Sequence, residues 1–291
     1  MNSLALILHS FQYNTNLVCN DNPTQDHIFT NLNCTYSSGT HRFLHFLWNN
    51  EGSKNQGLAI YFCGTSTSSS GTLEVEHCSF SHCHSSGDIN SGGVVALCIS
   101  SASVSHSLFY DCSCEYSDSQ EGCGIFMGHL SRNPFVQSCS FISCISGDDG
   151  EGCGIWFCGS FVNYAVDSCR FTKCKGTYPE SGQDGAIMYY NNSGTRACTD
   201  CIFSESEAYY GGSLYLYCSS YATNTPPAMF CFFNKNSVVS SWYGNDVAIE
   251  DCPLRNASVL FQCCVSTSNP NRIGYCYITW NWMNADVDWL P

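Results

Sequence analysis

A right-handed parallel β-helix is the fold class that this sequence predicts. Three observations predict it: a repeat with a period near 30 residues, short strand-like runs inside each repeat, and no ten-residue segment with a helical apolar stripe. The repeat has two signatures. The first is Phe-x-x-Cys or Phe-x-x-Asn, with phenylalanine at 46, 80, 109, 141, 171 and 233, and a weakened copy at Phe203-Ser-Glu-Ser206. The steps from Phe46 onward are 34, 29, 32, 30, 32 and 30 residues. The second is a glycine pair leading into an apolar residue, as in Gly92-Gly-Val-Val95, Gly122-Cys-Gly-Ile125, Gly152-Cys-Gly-Ile155, Asp184-Gly-Ala-Ile187 and Gly211-Gly-Ser-Leu214.

Each element follows from these signatures. The runs after the glycines, such as GIWFC, AIMYY and SLYLYC, have the length and residue types of strands. Strands joined only by loops, with one repeat per turn, stack at the ~4.8 Å strand spacing, so seven turns make a rod about 34 Å long. The expected organisation is an N-terminal cap over 1–42, the helix over 43–251, and a C-terminal cap or extra strand over 252–291. Solenoids need their end turns covered.

The paired FxxN and GGA(I/L/V) signatures resemble the repeats of polymorphic outer-membrane-type proteins over roughly residues 43–250. The resemblance implies a β-helix of the kind found in the passenger regions of that family. This chain differs in placing Cys for Asn in four copies. It shows no C-terminal membrane β-barrel pattern, so autotransport is not implied. Cysteine-rich repeats of this kind also resemble predicted β-helix proteins of flagellate protists, a likeness that implies architecture and no activity.

The stretch CSFISCISGDDGEGCGIWFC, residues 139–158, poses the question of what the 23 cysteines do. In a parallel stack Cys78, Cys139, Cys169 and Cys201 share one column, and Cys83, Cys112, Cys144 and Cys174 another. The Phe column between them is expected inside, because an exposed phenylalanine ladder would aggregate. A buried thiol behaves as a small hydrophobe. The C-x4-C-x8-C-x4-C spacing lacks the short pairs of structural zinc sites. Space-filling thiols are therefore expected, rather than zinc ligands or an extensive disulfide ladder.

Net charge is −14, from 10 Lys+Arg and 24 Asp+Glu, which argues against a nucleic-acid partner. No 18-residue apolar run occurs, so no membrane span is expected. The opening MNSLALILHSFQYN has no basic residue ahead of its apolar part, so no secretory signal is expected. Reduced thiols then fit an intracellular place, cytoplasmic or cytoskeletal; an extracellular surface is the alternative. Sequons begin at Asn33, Asn191 and Asn256.

No catalytic residue, cofactor or metal is expected. Gly147-Asp-Asp-Gly150 has a faint likeness to the paired-aspartate segment of polygalacturonase-type hydrolases, but the Gly-His-Gly and Arg-Ile-Lys stretches of those enzymes are missing. The most metal-like cluster is His77-Cys78 with His82-Cys83-His84. Alternation turns His77 and His82 outward, and His106 stacks over His77; solvated outer histidines are the expectation. Asp88, Asp118, Glu121, Asp148, Asp149, Glu151, Glu180 and Asp184 are expected to form an acidic edge of solubilising loops, with calcium the functional alternative. The positions after the glycine signature, Ala96, Phe126, Trp156, Met188 and Tyr215, share one face. Phe126, Trp156, Met188 and Tyr215 are the candidate partner-binding residues, with cover by the chain itself the competing reading. The expected function is a non-enzymatic structural and interaction module that presents this stripe and the acidic edge to protein partners in a larger assembly. An extracellular adhesin or glycan-binding module is second, and a polysaccharide-active enzyme a distant third.

Overall fold

A computed structural model describes residues 32–35, 40–44, 47–49, 59–63, 71–85, 93–114, 122–130, 132, 134–147, 152–159, 164–176, 185–190, 196–208, 212–217, 228–238, 246–250, 261–262, 265–266 and 275–278. The described residues hold strands and no helix, and every strand pairing is parallel. The strands form four sheets of nine, eight, six and eight members, in which successive neighbours come from successive repeats. The protein is thus a parallel β-solenoid. No helix among the described residues is long and apolar enough to cross a membrane. The stack exceeds the expected seven turns, because Leu32–Thr35 and Tyr275–Ile278, placed within the caps by sequence, pair onto the ends of the nine-stranded sheet.

One coil shows the plan. Phe135–Gln137 lies on a first face, Ser140–Ile142 on a second, Ile145–Ser146 on a third and Ile155–Cys158 on a fourth; Tyr164–Asp167 then opens the next coil. First-face strands alternate: in Thr72–Glu76 and Ser101–Ser105 the inward residues are Leu73, Val75, Ala102 and Val104. This is the period-2 pattern of a sheet with one buried face. Second-face strands are three residues long and point one side chain inward, the phenylalanine. Phe80, Phe109, Phe141, Phe171, Phe203 and Phe233 are all buried, and their ring centroids are 4.7–5.2 Å apart with interplanar angles of 3–15°. Burying each ring is worth roughly 1.5–3 kcal/mol.

The glycine signature makes room for this ladder. A Cβ added to Gly93, Gly124 or Gly154 would come within 2.9–3.0 Å of the ring of Phe109, Phe141 or Phe171, and within 2.2–2.7 Å of a carbonyl oxygen in the next coil. The two sequence signatures recur together because each such glycine lies against the phenylalanine that follows it.

Corners bound the phenylalanine strand on both sides. Each corner residue has positive φ, and none in these two columns is glycine: His77, His106, Ser138, Ser168, Asp200 and Phe230 before the strand, and His82, Asp111, Ser143, Lys173, Glu205 and Lys235 after it. Left-handed geometry costs an L-residue roughly 1–2 kcal/mol. The following residue is always Cys, Ser or Asn, and at most of these corners its side chain caps. At the first corner the amide of Cys78 donates to Ser107 Oγ at 3.1 Å, that of Cys139 to Cys169 Sγ at 3.4 Å, and that of Cys169 to Cys201 Sγ at 3.4 Å. At the second, the thiols of Cys112, Cys144 and Cys174 donate to the carbonyls of Phe80, Phe109 and Phe141 at 3.7–3.9 Å, and Asn236 Nδ2 donates to Phe203 O at 3.3 Å. Phe-x-x-Cys and Phe-x-x-Asn are equivalent because both end in a side chain that binds the carbonyl of the preceding phenylalanine.

Candidate functional site

The fourth face decides the fate of the aromatic stripe. Its strands read as continuous apolar runs, and Ile125–Gly128 and Ile155–Cys158 are buried at every position. Val94, Ile125, Ile155, Ile187 and Leu214 point into the main core. The intervening column of Val95, Phe126, Trp156, Met188 and Tyr215 packs as a separate cluster on the opposite side, with Cys158 and Leu97 against it. Phe126 and Trp156 stack at 4.2 Å.

The four candidate partner-binding residues are therefore together but not in view: Phe126 is 5% exposed, and Trp156, Met188 and Tyr215 are 0% exposed. The expectation of an exposed stripe is corrected here, because the sheet is covered on both faces by the protein's own chain. A Cβ on Gly122 or Gly152 would lie 2.9 or 3.1 Å from Trp156 Cβ, so the segment entering the strand of Trp156 and the segment entering the strand of the preceding coil both lie against the base of this one side chain. The register also differs by one residue at the first copy: Phe126 pairs with Val95, and Ala96 pairs with Met127 and belongs to the interior.

The cysteine columns lie inside as expected, with Cys78, Cys139, Cys169 and Cys201 in one and Cys83, Cys112, Cys144 and Cys174 in the other, all buried. The quartet at 139–158 does not converge. Cys139, Cys144 and Cys153 belong to the main core and Cys158 to the outer cluster. Burial and the neighbouring Cys114 thiol push the Cys123 thiol well above its ordinary value. The hydrogen-bonded thiol of Cys144, together with burial, pushes Cys174 up in the same way. The interior thus holds the Cys123 and Cys174 thiols in the protonated form. Across coils Cys231 Sγ lies 3.3 Å from Cys198 O and 3.8 Å from Cys198 Sγ.

Two outward surfaces stand out among the described residues. The first lies at the corner before the second face, where His77 and His106 are exposed and their rings stack at 4.8 Å, as alternation predicts. Glu76 joins them, with its Oε1 3.4 Å from His77 Nε2. The ligand atoms of Glu76, His77 and His106 all lie within 4.8 Å of one another, the one such group of three found among the described residues. His82 faces outward at the other corner, with Nε2 3.6 Å from Asp111 Oδ2, and His84 Nδ1 is 2.6 Å from Ser113 Oγ.

The second surface was not anticipated. On the second face the residues flanking each inward phenylalanine point outward, and several are large and apolar: Leu108, Tyr110, Ile202 and Phe232, with Phe230 at the preceding corner. Their exposures run from 36% to 52%. Position could have shown them, since neighbours of a buried strand residue face the other way. The residues of the acidic edge, Asp88, Asp118, Glu121, Asp148, Asp149, Glu151, Glu180 and Asp184, and the sequon residues Asn191 and Asn256, lie outside the described residues.

No protein-family model, curated protein or solved structure matches the chain.

Proposed function

We propose that the protein is a non-enzymatic structural and interaction module, a stiff solenoid that takes its place among protein partners in a larger assembly. One observation carries this reading. Among the described side chains all thiols but that of Cys98 are buried, with several engaged at the corners, while Ile202, Phe230 and Phe232 stand exposed together on the outward side of the second face. Repeat solenoids bind through extended regular faces, and exposed apolar groups mark such contacts. With the fourth-face stripe buried, the presenting surface in this reading is the second face. The resemblance to outer-membrane-type repeats supports a display or scaffolding role, and reduced thiols suit a cytoplasmic or cytoskeletal place.

The experiment is native size fractionation of the tagged protein from its own cells, beside an Ile202→Ser, Phe232→Ser variant. The expected result is a large species for the natural sequence and a monomer for the variant, with matching thermal unfolding. A natural protein that elutes as a lone monomer ends the assembly reading. A variant that stays in the large species ends the assignment to the second face.

A further inference from the structure

We propose that Glu76, His77 and His106 form a binding site for a divalent transition-metal ion of the zinc class. The site is built by the stacking of two coils. Glu76 pairs with Ser105, so His77 and His106, each one residue further on, come into line across adjacent coils. Both occupy left-handed corners, at φ 54° and 49°. Both backbones are pinned by the next coil: His77 N donates to Ser105 O at 3.1 Å and His106 N to Gln137 O at 2.9 Å. The two imidazoles thus project from sheet-anchored positions rather than from a loop, which limits what must be ordered on binding. The corner also breaks strand alternation, which brings the carboxylate of Glu76 to the same side as the ring of His77.

The donor set selects the metal. Two imidazole nitrogens and one carboxylate oxygen suit zinc and its borderline neighbours; calcium and magnesium favour all-oxygen shells, and soft ions favour thiolates. The adjacent thiol does not compete, since Cys78 is buried and its Sγ donates to Glu76 O at 3.2 Å. An ion about 2.1 Å from each ligand holds tetrahedral donors about 3.4 Å apart. The three ligand atoms lie within 4.8 Å, so closure requires only rotation of outward side chains over a fixed backbone. Solvent on the open side supplies the remaining position, making this a site with an exchangeable ligand.

The fold itself indicates the control substitution. Ser138 occupies the same corner one coil on, at φ 52°, with the same amide bond, to Asp167 O at 2.9 Å. Serine therefore keeps the corner while removing the ligand. The test is calorimetric titration of reduced full-length protein with Zn2+, together with the absorption spectrum of the Co2+ form. The natural protein should bind zinc at this site, and His106→Ser should weaken that binding by more than the roughly 10-fold that even an outer-shell loss costs. Its unfolding without metal should match that of the natural protein. His82→Ser, at the neighbouring corner, should leave zinc binding unchanged. The Co2+ spectrum should lack a thiolate charge-transfer band. Absence of zinc binding by the natural protein, undiminished binding by a His77→Ser, His106→Ser variant, or a thiolate band would each overturn the proposal.

Discussion

Cys169 Sγ accepts the amide N–H of Cys139 from the preceding coil at 3.4 Å, a bond that links the two coils where neither strand ladder reaches. Cys201 does the same for Cys169, and Ser107 Oγ does it for Cys78. Cysteine here is an acceptor as well as a filler. Cys169→Ser should then cost less than about 1 kcal/mol. Cys169→Val, close in volume but with no acceptor, should cost about 1–3 kcal/mol, because a buried N–H loses its partner. Urea midpoints of the two variants decide the matter: equal losses would reduce the thiol to its volume.

Asn236 is the most fully engaged cap. Its Oδ1 accepts the amide of Ser206 at 3.1 Å, and its Nδ2 donates to Phe203 O at 3.3 Å and to Asp246 Oδ1 at 3.1 Å. Asn236 and Asp246 are both buried. Asn236→Leu strands all three partners, a buried carboxylate among them, and should lower stability by about 3 kcal/mol or more. Chemical unfolding would show a loss under 1 kcal/mol if these bonds are dispensable.

Ser206 sits in the second cysteine column, fully buried, and its Oγ has no hydrogen-bond partner. Its equivalents one and two coils earlier are Cys174 and Cys144. Ser206→Cys removes an unsatisfied hydroxyl and restores the column, so stability should rise by about 1 kcal/mol. A lowered urea midpoint would mean that the local space rejects sulfur.

Gly124 sits in a close fit within the glycine column. An added Cβ would meet Gly154 O at 2.5 Å and the Phe141 ring at 2.9 Å. Gly124→Ala should cost about 1–3 kcal/mol through overpacking, even though Ala186 fills the equivalent place two coils on. An alanine variant with unchanged thermal unfolding would show that the coils can separate locally at no cost.

Stability should fall at alkaline pH. Cys144 is raised chiefly by its hydrogen bond to Cys112, Cys174 chiefly by its bond to Cys144, and Cys123 chiefly by burial, all well above the ordinary 9.0. A thiol raised in the folded state stays protonated there while the unfolded chain ionises. Its contribution is therefore complete below pH 9.0 and is lost as pH climbs from there towards the folded value. Each such thiol adds up to about 1.4 kcal/mol per pH unit to the slope. Unfolding of reduced protein across this range should show the decline, and Cys174→Ser should make it shallower. Identical slopes would mean that the interior thiols titrate freely.

Sequence made the phenylalanine ladder and both cysteine columns legible, because Phe80, Cys83 and their successors repeat at fixed intervals and only the inward side of a strand tolerates such a row. It left the sign of the fourth face open. GIWFC is apolar at almost every position, and a strand buried on both sides carries no alternation to show which side is out. The copy at Val94 slipped by one because Gly92-Gly93 offers two glycines to align, and only contact with Phe109 identifies Gly93 as the equivalent of Gly124. The corner residues themselves carry no common signal, since His, Ser, Asp, Lys, Glu and Phe all occupy them without a glycine. For the same reason the grouping of Glu76 with His77 was missed: in an unbroken strand the two would point to opposite sides.

The bonds donated by the corner amides at the first corner run in one direction. Each coil's corner amide is met by a side chain that lies about 30 residues later in the chain, as Cys139 is met by Cys169 and Cys169 by Cys201. A nascent chain leaving the ribosome therefore exposes each corner donor before the group that will receive it has been made. In each of these coils the corner amide is satisfied only once the succeeding coil is in place.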